Sequence, residues 1–254
     1  MLLASSDHET VKAIRENDST IITDKEKRKI VEWSFSTRSP DDLLIKNAPF
    51  SKADAPEIIG TAVVYHLINR MVTIFLNDSP LPVPSTWSGL KRVAIRVFGA
   101  TIGKSTVSRN PGSGDSLMFV PDTEVSEDLS WTLPNKNIAS AYSGFTRIIE
   151  NSIQSIIPGD VQQLVRQNVN NWQGEDMGLG RSWLEKMLSN VDGNSNKTLA
   201  RLCLLTALAP HQIDKKMLQE FRDIYSGDKE LIIVTTWASY LAARRIGSWL
   251  NTVS

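Results

Sequence analysis

The chain has 254 residues, 41% of them apolar, and its 28 Lys and Arg offset 28 Asp and Glu, so the net charge is zero. That length and composition suit a folded core in one domain or two fused halves, not a disordered chain. Charge neutrality argues against a nucleic-acid partner, and the single cysteine excludes an internal disulfide, a zinc knuckle or a C-x-x-C within the chain.

Helical periodicity dominates from the start. Val11 and Ile14 mark a first helix over 7–17, and Ile30, Val31, Trp33 and Phe35 mark a second over 24–36. The proline-bounded "SPDDLLIKNAPF" reads as a loop. The strongest helix follows, "DAPEIIGTAVVYHLINRMVTIFL". Asp54 with Glu57 resembles a capping box, and Pro56 falls in the first turn, where its missing N–H does no harm. "NDSPLPVP" stops it. Residues 87–98 alternate in part, but the spacing is taken as helical. "RNPGSGD" and "VPDTEVSEDLSW" read as loops. Helices are expected at 137–155, 159–171 and 180–188, then a polar linker "SNVDGNSNK", then helices at 198–208, 213–225 and 229–251. No long stretch alternates, so the expected fold is all-α. Neither a membrane span nor a signal peptide is expected, because no apolar run looks as long as about 20 residues and "MLLASSDHET" has no basic region.

Thr61-Ala-Val-Val-Tyr65-His-Leu-Ile-Asn-Arg70 aligns with Thr236-Trp-Ala-Ser-Tyr240-Leu-Ala-Ala-Arg-Arg245, matching Thr, Tyr and Arg. This echo suggests two related helical units.

Most candidate chemistry has a plainer reading. "FGATIGKST" ends like a phosphate loop, but three residues, not four, separate Gly99 from Gly103. "PGSGD" reads as a turn. Cys203 lies mid-helix among leucines, with no helix N-terminus or cation to make a thiolate. His8 and His211 sit at helix ends, as surface residues would. The seven tryptophans suggest packing, and Arg244-Arg245 a charged helix face. His66, Asn69 and Arg70 are different. They share one face of the most apolar helix, where polar groups must be paired, wetted or used. They are expected to face inward and line a polar pocket, although a purely structural network stays open. His66 would there be a proton carrier, and Arg70 would hold an anion or pair with a carboxylate.

The string "APEIIGTAVVYHLINRMVTIFLNDSPLP" resembles the alkylhydroperoxidase (AhpD) and carboxymuconolactone decarboxylase superfamily, in particular a duplicated, peroxidase-related branch. "ARLCLLTALAPHQIDKKMLQEFR" and "WASYLAARRIGSWL" resemble the second unit of such proteins. The resemblance extends loosely to "PGSGDSLMFVP" and "NNWQGEDMGLGRSWL", and so to nearly the whole chain. It implies an AhpD-like helical fold. The first unit would be residues 1–100, the connecting loops 101–136, and a degenerate second unit 137–254. It also implies thiol peroxidase chemistry at a C-x-x-C-x-x-x-H motif opening a helix. The helix N-terminus would stabilise a thiolate, a second cysteine would resolve it, and no cofactor or metal would be needed.

Laid on that motif, the cysteine positions fall on Ala209 and Gln212 and the histidine on Lys216. The second unit would keep the motif's geometry without its chemistry. In the first unit the motif helix would precede Met1, so a longer natural chain is expected. Two functions follow: a thiol-dependent peroxidase whose dithiol lies outside this sequence, or a catalytically inactive helical binding or assembly module. The implied setting is cytoplasmic, as a homo-oligomer, with a peroxide substrate and a thiol reductant.

Overall fold

The computed structural model describes residues 8–76 and 114–252. The helix expected at 87–98, the "FGATIGKST" loop, Trp87, the "NDSPLPVP" stop and most of "RNPGSGD" lie outside them. Among the described residues all regular structure is helical, and the fold is all-α. The α-helices are α1 (His8–Glu16), α2 (Lys25–Phe35), α3 (Leu43–Lys46), α4 (Ala55–Phe75), α5 (Lys136–Ile153), α6 (Gly159–Asn171), α7 (Ser182–Met187), α8 (Asn194–Leu208), α9 (Lys215–Arg222) and α10 (Asp228–Leu250). Short 3₁₀ turns fall at Ser19–Ile21, Asp115–Phe119, Glu127–Thr132 and Pro210–Gln212.

Side chains with a short acceptor start several of these helices. Asp24 accepts from the N–H groups of Glu26 and Lys27 at α2, Asp42 from Leu44 at α3, Asn135 from Asn137 and Ile138 at α5, and Asp214 from Met217 at α9. The Asp42 cap puts a helical turn inside a stretch expected to be loop. The box expected at α4 is not formed. Asp54 makes no side-chain cap, because its carboxylate accepts from the Ser51 hydroxyl at 2.6 Å. Pro56 does lie in the first turn. The polar linker is shorter than expected, since α8 starts within it, just after Gly193.

The core is built around α8 and α10. Leu199, Ala200 and every residue from Leu202 to Ala209 are buried, as are Leu231, Val234, Trp237, Ala238, Ala242, Ala243, Ile246 and Leu250 of α10. The two long helices, α4 and α10, make the most extensive contact between described elements. Gly247 permits it: a Cβ there would lie 2.8 Å from Val63 Cγ2 and 3.0 Å from Trp131 Nε1. Arg244 and Arg245 are not a solvated face. Arg244 grips Asp128 through two 2.6 Å hydrogen bonds, and Arg245 Nε donates to the Trp172 carbonyl at 3.2 Å. Ala13, Ile22 and Val31 form a separate small cluster beneath α1 and α2.

Contrary to the sequence expectation, α4 is long and apolar enough, at 21 residues, to cross a membrane. Only 33% of that apolar stretch is buried; its inner face packs on α10. Val64, Tyr65, Ile68 and Val72 are exposed along the outer face.

Candidate functional site

His66 and Arg70 stand one turn apart on α4 and are both buried, at 9% and 7% exposure. The segment after α2 meets them. The Thr37 hydroxyl donates to the Ser34 carbonyl at 3.0 Å, so its oxygen is left to accept from His66 Nε2 at 2.9 Å. That arrangement assigns the proton to Nε2 and leaves Nδ1 as an acceptor. Thr37 is fixed from its other side by Trp249, whose indole N–H donates to the Thr37 carbonyl at 2.9 Å.

Arg70 reaches across to α8. Its Nε donates to the Ala207 carbonyl at 2.9 Å, and its Nη1 to the His66 carbonyl at 2.8 Å. Its guanidinium carbon lies 5.8 Å from the centre of the Trp172 ring, and that of Arg38 lies 5.7 Å from the same ring. The loop after Trp172 is held by Gly174, whose carbonyl accepts from Arg38 Nη2 at 3.1 Å. Gly174 has φ +87°, and a Cβ on it would fall 1.7 Å from the Arg38 carbonyl oxygen, so only glycine fits.

Thr37, Arg38, His66 and Arg70 line a cleft of about 390 Å³, bordered also by Tyr65, Asn69, Asp176, Leu208, Pro210 and His211. The His66 face of α4 and the Ala209 junction therefore meet at one cleft. Asn69 does not face inward with the other two; it is exposed at the rim. Burial, then the charges of Arg70 and Arg38, push the His66 imidazole down to about 3. At neutral pH it is uncharged, where the sequence led to the expectation of an imidazole titrating near neutrality. Burial and Arg38 pull Arg70 down to about 9, so it stays a cation at neutral pH.

The positions that the resemblance lays on the motif do not open an α-helix. Ala209 is fully buried, and no α-helix starts there. The 3₁₀ turn Pro210–Gln212 and extended Ile213 intervene before α9, whose N-terminus is already capped by the Asp214 carboxylate. Gln212 is buried, with its side-chain amide donating to the Gly178 carbonyl at 2.7 Å. Lys216 is exposed and lies 3.9 Å from Glu220. Cys203 is fully buried in α8, and burial pushes its thiol well above the usual range. Sequence reasoning missed Thr37, Arg38, Trp172 and Gly174. They lie in irregular segments, where no periodicity points a side chain anywhere.

The chain is similar to an alkyl hydroperoxide reductase of Mycobacterium tuberculosis, with 30% identity over 225 residues. The match takes in 88% of this chain, which spans 62% of that relative's length. No family model and no solved structure matches the chain.

Proposed function

We propose that this chain is an alkylhydroperoxidase-like protein of the AhpD and carboxymuconolactone decarboxylase superfamily, of the duplicated branch, that works through the His66–Arg70 cleft as a ligand-binding unit without a thiol cycle of its own. In this reading α4 and α10 are the corresponding long helices of two units, 1–100 and 137–254, joined through 101–136. The observation that carries the reading is the state of its one thiol. Cys203 is sealed inside α8, away from the cleft, and held protonated by burial. A peroxide cycle needs an accessible thiolate and a partner to resolve the sulfenic acid, and neither is available to it.

A second reading is favoured by the name of the relative and by the share of it that this chain spans. There the family's thiol peroxidase chemistry, with a peroxide substrate and a thiol reductant, is completed by cysteines outside these residues. A cytoplasmic homo-oligomer fits both readings, and the apolar outer face of α4, uncovered among the described residues, supports assembly.

An organic hydroperoxide with a dithiol reductant tests whether these residues lack a thiol cycle, which both readings expect of them. The 254-residue chain is expected to show no turnover, and native Cys203 to resist alkylation for hours. Turnover that Cys203→Ser abolishes would overturn the proposal.

A further inference from the structure

Arg70 is a buried cation whose charge no described residue answers. Two of its five N–H groups donate to backbone carbonyls, and neither hydrogen on Nη2 meets a described acceptor. Arg38, beside the same indole ring, donates to the Gly174 carbonyl. Neither guanidinium forms an ion pair among the described residues. A charge held out of water in this way is costly without a counter-ion, and the Trp172 ring face offsets only part of that cost. Both guanidinium groups border the cleft, together with the apolar surfaces of Phe35, Leu208 and Pro210.

We propose that the cleft binds a small organic monoanion, a carboxylate carried on a short apolar body, with Arg70 and Arg38 as its anchors. The inference deepens the reading of the cleft as the working site and rests on it. Charge selects the monoanion. Two cations share the cleft with one carboxylate, Asp176, which pairs with neither and whose Oδ1 accepts from the Gly178 N–H at 2.8 Å, while His66 is neutral. Guanidinium presents parallel N–H groups that match the two oxygens of a carboxylate. Shape agrees, since about 390 Å³ lies within the range of small-molecule sites. A bound carboxylate would also add an acceptor beside His66 and favour its protonated form.

Benzoate and its neutral isostere benzamide are the probes. Calorimetric titration of the 254-residue chain is expected to give benzoate binding, with benzamide at least about tenfold weaker. Benzoate is also expected to shift the ring resonances of His66. Arg38 is exposed, so Arg38→Gln should keep the melting temperature while weakening benzoate by a similar factor. Arg70→Gln should remove binding, and Arg38→Gln keeps the test decisive where the buried substitution unfolds the chain. No benzoate binding at millimolar concentration, equal affinity for benzamide, or an unchanged affinity in Arg38→Gln would each overturn the proposal. Tighter binding of inorganic phosphate than of benzoate would overturn the choice of a monoanion. The peroxide assay with Cys203→Ser tests the missing thiol cycle independently of benzoate, so failure of that reading and failure of the carboxylate site are distinguishable.

Discussion

A neutral imidazole is favoured at His66 in the folded chain, whereas in the unfolded chain the same group takes a proton near pH 6.5. Between that value and about 3 the unfolded state therefore binds one more proton, and stability falls as the pH falls. The contribution is fully present above 6.5 and is lost progressively on acidification. From pH 7 to pH 5 it amounts to about 2 kcal/mol. His66→Gln has no such proton to take up. Urea melts at the two pH values should thus show the natural chain losing about 2 kcal/mol more than the variant over this interval. An equal loss in both would mean that the imidazole is not desolvated. Gly174 gives a second prediction at this scale. Any side chain there meets the Arg38 carbonyl, so Gly174→Ala should displace Arg38 from Trp172 and weaken benzoate binding as well as stability.

Two kinds of glycine occur among the helices, and packing tells them apart. On α10, Gly247 lets Val63 of α4 and the Trp131 indole approach the backbone. Gly247→Ala should overpack that contact and cost about 1–3 kcal/mol. Gly159, the first residue of α6, has no neighbour within 4 Å of the point where a Cβ would lie, so Gly159→Ala is expected to be neutral or slightly stabilising. Denaturant midpoints of the pair check both signs. The helix starts show the same dependence on neighbours. Asp24 and Asp214 cap their helices as their residue type favours, whereas Asp54 is drawn off by Ser51. Composition at a helix start names the candidates for a cap. The competing partner nearby decides whether one forms.

Across the whole molecule, stability is unevenly spread. The main core runs continuously through α4, α8 and α10 and takes in Trp33 of α2, while α1 rests on a cluster of three buried residues, Ala13, Ile22 and Val31. Few buried apolar contacts mean a low free energy of local opening. Native-state hydrogen exchange should therefore show the amides of α1 opening well below the global unfolding free energy, with those of α8 and α10 exchanging only through global unfolding. Equal protection across these helices would contradict the division. The far segments are tied back by specific bonds. The Trp249 indole holds Thr37, the Thr252 hydroxyl donates to the Ile45 carbonyl at 2.6 Å, and Arg244 holds Asp128. The ties at Thr37 and Asp128 border the cleft and the α10 face, so the site depends on chain segments remote in sequence.

Helical periodicity was enough to determine the all-α class, the place of α4 as the most apolar helix, and the burial of Cys203, because each follows from the local spacing of apolar residues. The same spacing put His66 and Arg70 on one face, since i and i+4 are neighbours on any α-helix. Only the tertiary structure decided what that face meets. Arg38 and Trp172 reach it from irregular segments 134 residues apart in sequence, and Gly174 closes the approach through a backbone conformation that no pattern of polarity encodes. The protonation state of His66 was decided there too, because a pKa depends on burial and on the charges nearby, and both of those charges, on Arg70 and Arg38, take effect only once the chain has folded around the cleft.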